Sequence, residues 1–369
     1  MPPYAMRSPR FSVSSIPPLL AVLALPLFLV GCDSNTPQRD DPDFTTDNCT
    51  LPTSRLQQGC AGADCIPSID GISPGGDRLL DADEAGGLTD TSRVIGLLVG
   101  DRALAVPHSV LWTHEIVNVD DWGGRTFAVT YCPLTGSSLA FSRSTIDGAE
   151  FGVSGLLFQN NLVMYDRRED ESLWPQMNRQ SNCGGSVGVR LDMIPVVEMR
   201  WPRWKSLHPD TKVVSDGRGF DRRYPYGDYE ALNDPPFNNM SFDNRRPPKE
   251  RVLGIPTGSD GGLALPFRSL DDGSPVRVVS VAVGGTQKTV FWSRAAESAM
   301  AFETSASFSI QNGTIVDDET GSTWSVDGVA IDGPRKGEQL DPVDVAYVSF
   351  WFAWAAFQPE TDLWTNNSG

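Results

Sequence analysis

The chain has 369 residues, with 47 acidic against 30 basic side chains and a net charge of −17 at neutral pH. A surface that negative repels phosphate backbones, and no basic cluster is long enough to override it, so nucleic acid is excluded as a partner. The length suits two ordinary domains, and 35 Gly, 28 Pro and many β-branched and aromatic residues point to a mainly β, β-rich α+β fold.

Residues 1–15 carry Arg7 and Arg10 and no acid, and an apolar run from Ile16 to Val30 follows, ending in Leu29-Val30-Gly31-Cys32. That is the order of a secretory signal over residues 1–31. The run is shorter than the roughly 20 residues a membrane span needs, and it holds Pro17, Pro18 and Pro26. A cysteine directly after Gly31 resembles the lipobox of bacterial lipoproteins. The resemblance implies cleavage before Cys32, lipidation of its sulfur, and an extracytoplasmic chain lipid-anchored to a bacterial membrane on its periplasmic side, since two or three acyl chains anchor stably. Cleavage removes two basic residues and no acid, leaving 28 against 47, a net −19. Residues 32–63 are polar and acidic with little apolar periodicity, which predicts a flexible tether. The other long apolar stretch, Val343 to Phe357, contains Asp344 and is too short to span, so it reads as core.

Five cysteines remain beside Cys32. Disulfides form outside the cytoplasm, and one is expected among Cys49, Cys60 and Cys65, which cluster in a polar segment with little else to hold it. An odd number leaves at least one thiol free, bound to something, or paired between chains.

A duplication organises the rest. Trp174, Trp201 and Trp204 recur as Trp324, Trp351 and Trp354 at a shift of 150, with Ser172 matching Ser322 and Pro209-Asp210-Thr211 matching Pro359-Glu360-Thr361. A second block, at a shift of 161, pairs Val129, Tyr131, Ser137 and Leu139-Ala140-Phe141 with Val290, Trp292, Ser298 and Met300-Ala301-Phe302. A third, at 158 to 159, pairs Val94, Gly96, Gly100, Ala105 and Pro107 with Val252, Gly254, Gly258, Ala264 and Pro266. The blocks keep their order, which predicts two copies of one β-rich unit packed as a pseudo-symmetric pair. The first repeat with its leading segment covers 64–217, a connection rich in Pro, Asn, Tyr and Arg covers 218–251, and the second repeat covers 252–369. The differing shifts place 11 extra residues in the first copy between Phe141 and Glu169.

A residue kept in one copy and lost from the other is a better candidate for chemistry than for shared packing. Cys132 corresponds to Ser293, and the second copy has no histidine to match His114. Leu111 to Val119 and Arg125 to Cys132 alternate like strands on either side of Asp120-Asp121-Trp122-Gly123-Gly124. A hairpin folded about Trp122 sets Ile116 opposite Ala128 and makes His114 and Cys132 diagonal neighbours on one face. Such a pair could form an activated thiol or hold a soft metal, copper or zinc, with His108 as a third ligand and Met164 or His208 completing the set. The alternative is a buried thiol beside a histidine bonded within the sheet. The recurrence of Trp201 and Trp204 favours a core role for both over stacking on a ligand. Tyr165-Asp166-Arg167-Arg168 reads as a strand end with salt bridges. There is no phosphate loop, serine elbow or zinc helix motif.

The motifs His114-Glu115-Ile116-Val117-Asn118, Thr130-Tyr131-Cys132-Pro133-Leu134, Phe151-Gly152-Val153-Ser154-Gly155-Leu156, Tyr165-Asp166-Arg167 and Ser172-Leu173-Trp174 resemble, in order, those of the bacterial family called domain of unknown function 3179. Asp64-Cys65-Ile66-Pro67-Ser68-Ile69-Asp70 is similar to its opening motif, and the likeness runs from about 64 to 365. The resemblance brings no activity with it. Members commonly carry Cys-Pro-Leu-Cys where this chain has Cys132-Pro133-Leu134-Thr135, so a dithiol pair of that motif cannot form here. The sequence thus leads to a membrane-tethered protein with a small-molecule or metal site near His114 and Cys132. A non-enzymatic binding or assembly module with an envelope protein partner is the alternative.

Overall fold

The computed structural model describes residue 44 and residues 48–232, 242–258 and 260–366. The expected signal, Cys32 and the first part of the expected tether lie outside these residues. Among the described residues no helix is long and apolar enough to cross a membrane.

The chain is β-rich. It opens with β1 (Leu56–Gln58), β2 (Ile69–Ile72) and β3 (Leu79–Asp81). Then come β4 (Arg93–Val99), β5 (Arg102–Pro107), a single helical turn α1 (His108–Leu111), β6 (Ile116–Trp122), β7 (Arg125–Cys132) and β8 (Ser137–Ser142). Next are β9 (Phe151–Phe158), β10 (Asn161–Asp166), β11 (Leu173–Pro175), β12 (Val197–Arg200), α2 (Trp201–Leu207) and β13 (Lys212–Val214). After the connection follow β14 (Arg251–Thr257), β15 (Gly261–Pro266), α3 (Phe267–Leu270), β16 (Val276–Val283), β17 (Thr286–Ser293) and β18 (Ser298–Glu303). The chain closes with β19 (Phe308–Gln311), β20 (Thr314–Asp317), β21 (Thr323–Trp324), β22 (Ala330–Asp332), β23 (Asp341–Pro342), β24 (Tyr347–Phe350), α4 (Trp351–Phe357) and β25 (Glu360–Leu363).

Among the described residues five sheets result, and two of them contain the same strand pattern. One runs β12-β4-β5-β13-β3, and the largest, of eight strands, ends in β24-β14-β15-β25. In each, the second hairpin strand takes a parallel neighbour, β13 beside β5 and β25 beside β15. A helical turn follows Pro107 and Pro266 alike, both held at a φ near −65°. Proline suits that place because its φ is preset for the first turn and its missing N–H is not needed there.

The recurring tryptophans have a specific job. The indole of Trp204 on α2 donates to Thr211 Oγ1 at 3.0 Å, and that of Trp354 on α4 donates to Thr361 Oγ1 at 2.8 Å. Each ring lies flat against a strand glycine, Gly96 or Gly254, where a Cβ would overlap the ring. Trp174 and Trp324 repeat the theme, donating to Asp166 and Asp317 at 2.7 and 3.1 Å. Buried indoles satisfied in this way contribute both apolar area and orientation. As expected, Trp201, Trp204 and the stretch from Val343 to Phe357 belong mostly to the core. Met164 is fully buried there as well.

Residues 48–63, expected to be part of the tether, are docked on the body instead. Cys49 bonds Cys183 across 134 residues of chain, and Cys60 bonds Cys65. One bridge therefore falls within the expected trio, while Cys49 finds a distant partner. Closing a loop of over 100 residues removes about 4–5 kcal/mol of unfolded-chain entropy. β1 pairs with β9 at Leu56↔Phe158, so the long β9, in the region of the 11 extra residues, supplies the edge on which this arm lies. Arg167 clamps the arm further, bonding Asp64 at 2.9 Å and Asp70 at 2.8 Å. That makes Tyr165-Asp166-Arg167-Arg168 more than a solvated strand end.

Substituting Gly96→Ala or Gly254→Ala forces the overlying indole out of place and should lower stability by about 1–3 kcal/mol, the usual cost of overpacking. Urea denaturation of each variant measures this, and unchanged midpoints would show that the rings have room to move.

Candidate functional site

The expected hairpin of His114 and Cys132 does not form as drawn. Leu111 ends α1 and no strand runs from Leu111 to Val119; β6 starts at Ile116. The turn is Gly123-Gly124, both at positive φ, and a bulge beside Trp122 sets the register at Ile116↔Thr130 and not Ile116↔Ala128. Two consecutive glycines at positive φ match the twist of a tight hairpin, so they fix the turn in place of Trp122. Extended to residue 114, that register would face His114 with Cys132, but Glu115 is left-handed (φ 57°) and breaks the alternation. Its carbonyl still accepts from Tyr131 N at 2.8 Å.

His114 turns instead to the N-terminal arm. Its Nδ1 donates to the Pro67 carbonyl at 2.7 Å, while Nε2 faces Asp216 Oδ2 at 3.0 Å and Arg218 Nη2 at 2.7 Å. Both ring nitrogens are thereby occupied. Cys132 is buried, the free cysteine among the described residues, with its Sγ 3.8 Å from the Asn160 carbonyl. Burial pushes its thiol up to about 11, and the neighbouring Glu115 adds to the shift. A thiol so raised is not a nucleophile at neutral pH. His208 is taken by Asp327 at 2.5 Å. Thus His108, His114 and His208 each have partners of their own while Cys132 and Met164 share an apolar cluster, and no group of three or more His, Cys, Asp or Glu side chains among the described residues could hold a metal ion.

The polar constellation that does form centres on His108. It is the first residue of α1 and 3% exposed, with its ring stacked 4.3 Å from that of Tyr131. Behind it Glu198, on β12 and 1% exposed, receives Arg93 of β4 at 2.7 Å and Arg251 of β14 at 3.3 Å. Its other oxygen accepts from Ser138 at 2.7 Å and lies 3.8 Å from His108 Nε2. Arg251 also pairs with Glu230 of the connection at 3.1 Å. Burial alone would raise the Glu198 carboxyl; Arg93, His108 and Arg251 outweigh it and hold the group down at about 2. The same burial lowers His108 to about 4 despite Glu198, so the imidazole is neutral at ordinary pH.

In front of this network lies a cavity of about 260 Å³ walled by Ser92, His108, Ser109, Trp112, Glu230 and Arg251, among others. His108 Nε2, Ser109 Oγ and Trp112 Nε1 are buried there without a hydrogen bond. Tyr224 OH and Tyr131 OH, on rings packed against Trp112 and His108, are equally unbonded. Native structures hydrogen-bond about nine in ten such groups, so three on the wall of one hollow, His108 Nε2, Ser109 Oγ and Trp112 Nε1, need an explanation.

A second, unpaired acid lies on the next turn. Glu115 is 5% exposed, and burial alone raises it to about 8. Its field reaches Cys132 and Tyr226 of the connection. Left-handed backbone and an unpaired buried acid together mark a strained position.

Sequence reasoning found His108 but missed Ser109, Trp112, Arg93, Glu198 and Arg251. The same spacings that singled out Cys132 and His114 also pick out the centre of the network: shifts of 159, 161 and 150 set His108 against Phe267, Tyr131 against Trp292, and Glu198 against Val348. A glutamate amid the apolar residues of β12 was the readable signal.

A protein-family pattern described as "Protein of unknown function (DUF3179)" matches residues 63–361. The chain belongs to that family. No curated protein and no solved structure matches it.

The two raised and lowered groups give the fold a pH signature. An unfolded Glu ionises near 4.5 and folded Glu115 near 8, so its contribution is complete below pH 4.5 and is lost as pH rises to 8. His108, at 6.5 unfolded and about 4 folded, contributes fully above pH 6.5 and loses that as pH falls to 4. The two oppose each other between 4.5 and 6.5, and above 6.5 Glu115 acts alone. Stability should fall by about 2 kcal/mol from pH 6.5 to 8, and Glu115→Gln should remove that fall. Denaturant midpoints across this range test it; parallel profiles for the two proteins would rule it out.

Proposed function

We propose that this protein is a lipid-anchored extracytoplasmic lipoprotein, cut before Cys32, whose body binds a small molecule in the His108 cavity. The N-terminal charge pattern and Leu29-Val30-Gly31-Cys32 support the anchor. Two disulfides in a docked N-terminal arm fit an oxidising compartment. The body is read as two copies of one unit, supported by the matching strand patterns and by the paired Trp204–Thr211 and Trp354–Thr361 bonds at glycines 96 and 254. On this reading the first copy has specialised: Phe267, Trp292 and Val348 occupy the places of His108, Tyr131 and Glu198.

The observation that carries the binding function is the set of unbonded polar atoms around the cavity. A buried hydroxyl or indole N–H left unpaired costs about 1–3 kcal/mol. Such a cost persists where the group serves a ligand, because function tolerates lost stability. The metal reading of His114 and Cys132 has no comparable support.

Two experiments test the proposal. Cys32→Ser should release the protein from membranes and abolish incorporation of labelled fatty acid; a variant that stays lipidated would remove the anchor from the proposal. Ser109→Ala and Tyr224→Phe delete only a hydroxyl, and each should leave stability equal or raise it by about 1 kcal/mol. A loss of that size in both would mean that the hydroxyls are structural and would sink the binding site.

A further inference from the structure

Resting on the cavity reading above, we infer that the occupant is an uncharged, hydroxyl-bearing molecule about the size of one sugar ring. The first ground is charge. Arg93 and Arg251 share Glu198, Arg251 is also held by Glu230, and Arg222 on the wall is paired with Asp216. Each cation of the cavity wall already has an acid partner. An anion entering would find no free cation and would have to break a buried pair, and a buried charge left without a partner is costly. His108 adds no charge, since burial keeps its imidazole neutral above about pH 4.

The second ground is the chemistry of the unbonded groups. Ser109 offers a hydroxyl that donates and accepts, Trp112 offers an indole N–H that only donates, and His108 offers one neutral ring nitrogen. Thr89, Thr91 and Ser92 add hydroxyls to the wall. Groups of this kind match alternating hydroxyl donors and acceptors on a ligand. Ser109 and His108 are 7% and 3% exposed, so what satisfies them must enter the hollow.

Size and shape are the third. A hollow of about 260 Å³ falls below the roughly 300–1,000 Å³ of pockets for drug-sized ligands, which limits the occupant to one small ring. Trp112 and Tyr224 meet edge to face at 5.0 Å, each half-buried, so an apolar ring surface borders the polar groups. That pairing of aromatic surface with hydroxyl-binding groups suits the C–H face and the O–H edge of a sugar ring or cyclitol.

The test uses the full lipidated chain in a polyoxyethylene detergent, which carries no sugar headgroup to compete. Saturation-transfer NMR and titration calorimetry are run with D-glucose, D-galactose, N-acetyl-D-glucosamine and myo-inositol, and in parallel with L-glutamate, citrate and inorganic phosphate. The expected result is saturable binding of at least one neutral probe, weakened about tenfold by Ser109→Ala and by Trp112→Phe, the loss of one hydrogen bond each. No binding by any neutral probe overturns the inference. Binding of glutamate, citrate or phosphate that the same substitutions weaken also overturns it, while leaving the cavity as the binding site. If instead Ser109→Ala and Tyr224→Phe both lose stability, the cavity reading fails and this inference falls with it.

Discussion

One carboxylate governs the middle of this molecule. Glu198 is removed from water on β12 and is paired with Arg93 and Arg251, which start β4 and β14 in two different sheets. Desolvating three charges is expensive, and the arrangement holds only because each is matched, with Ser138 donating to the carboxylate and Arg93 donating to the Glu297 carbonyl. Any side chain beside Glu198 must tolerate that field. His108 does so as a neutral ring, and the cavity in front of it is bordered by charges that are already paired.

Packing of the tryptophans makes this centre rigid. Trp204 and Trp354 lock each helix onto its sheet by resting on a glycine and bonding a threonine at the start of the chain segment that follows, Thr211 just before β13 and Thr361 in β25. Such a clamp fixes where the strand ends lie, and Arg93 and Arg251 sit at those ends, three residues before Gly96 and Gly254. Pairing of β24 with both β14 and β8 continues the backbone from one half of the chain to the other. The carboxylate and the strands therefore support the same junction.

The free thiol has an opposite character. Cys132 ends β7 in an apolar setting beside an acid that burial keeps protonated, so neither group carries charge near neutrality. That pairing suits a quiet core position. Tyr226 and Tyr229 of the connection lie near this region, with Tyr229 donating to the Leu134 carbonyl at 2.6 Å, while Phe220, Asp221, Arg222 and Glu230 of the same segment line the His108 cavity. The connection is thus part of the wall, more than a link between halves.

The residues alone determined the β-rich class, the family, the core role of the recurring tryptophans, and His108 as a residue of interest. These are legible because apolar spacing and glycine placement act locally or repeat at a fixed interval. Three things were decided only by tertiary structure. Glu115 adopts a left-handed conformation between α1 and β6, which no pattern of alternation contains, and it sends His114 and Cys132 to different partners. Cys49 pairs with Cys183 because the arm crosses the body, a contact that sequence proximity cannot disclose. Arg93, Glu198 and Arg251 stand far apart in the chain and meet because a buried charge must be matched, and only the folded chain determines which partners come within reach.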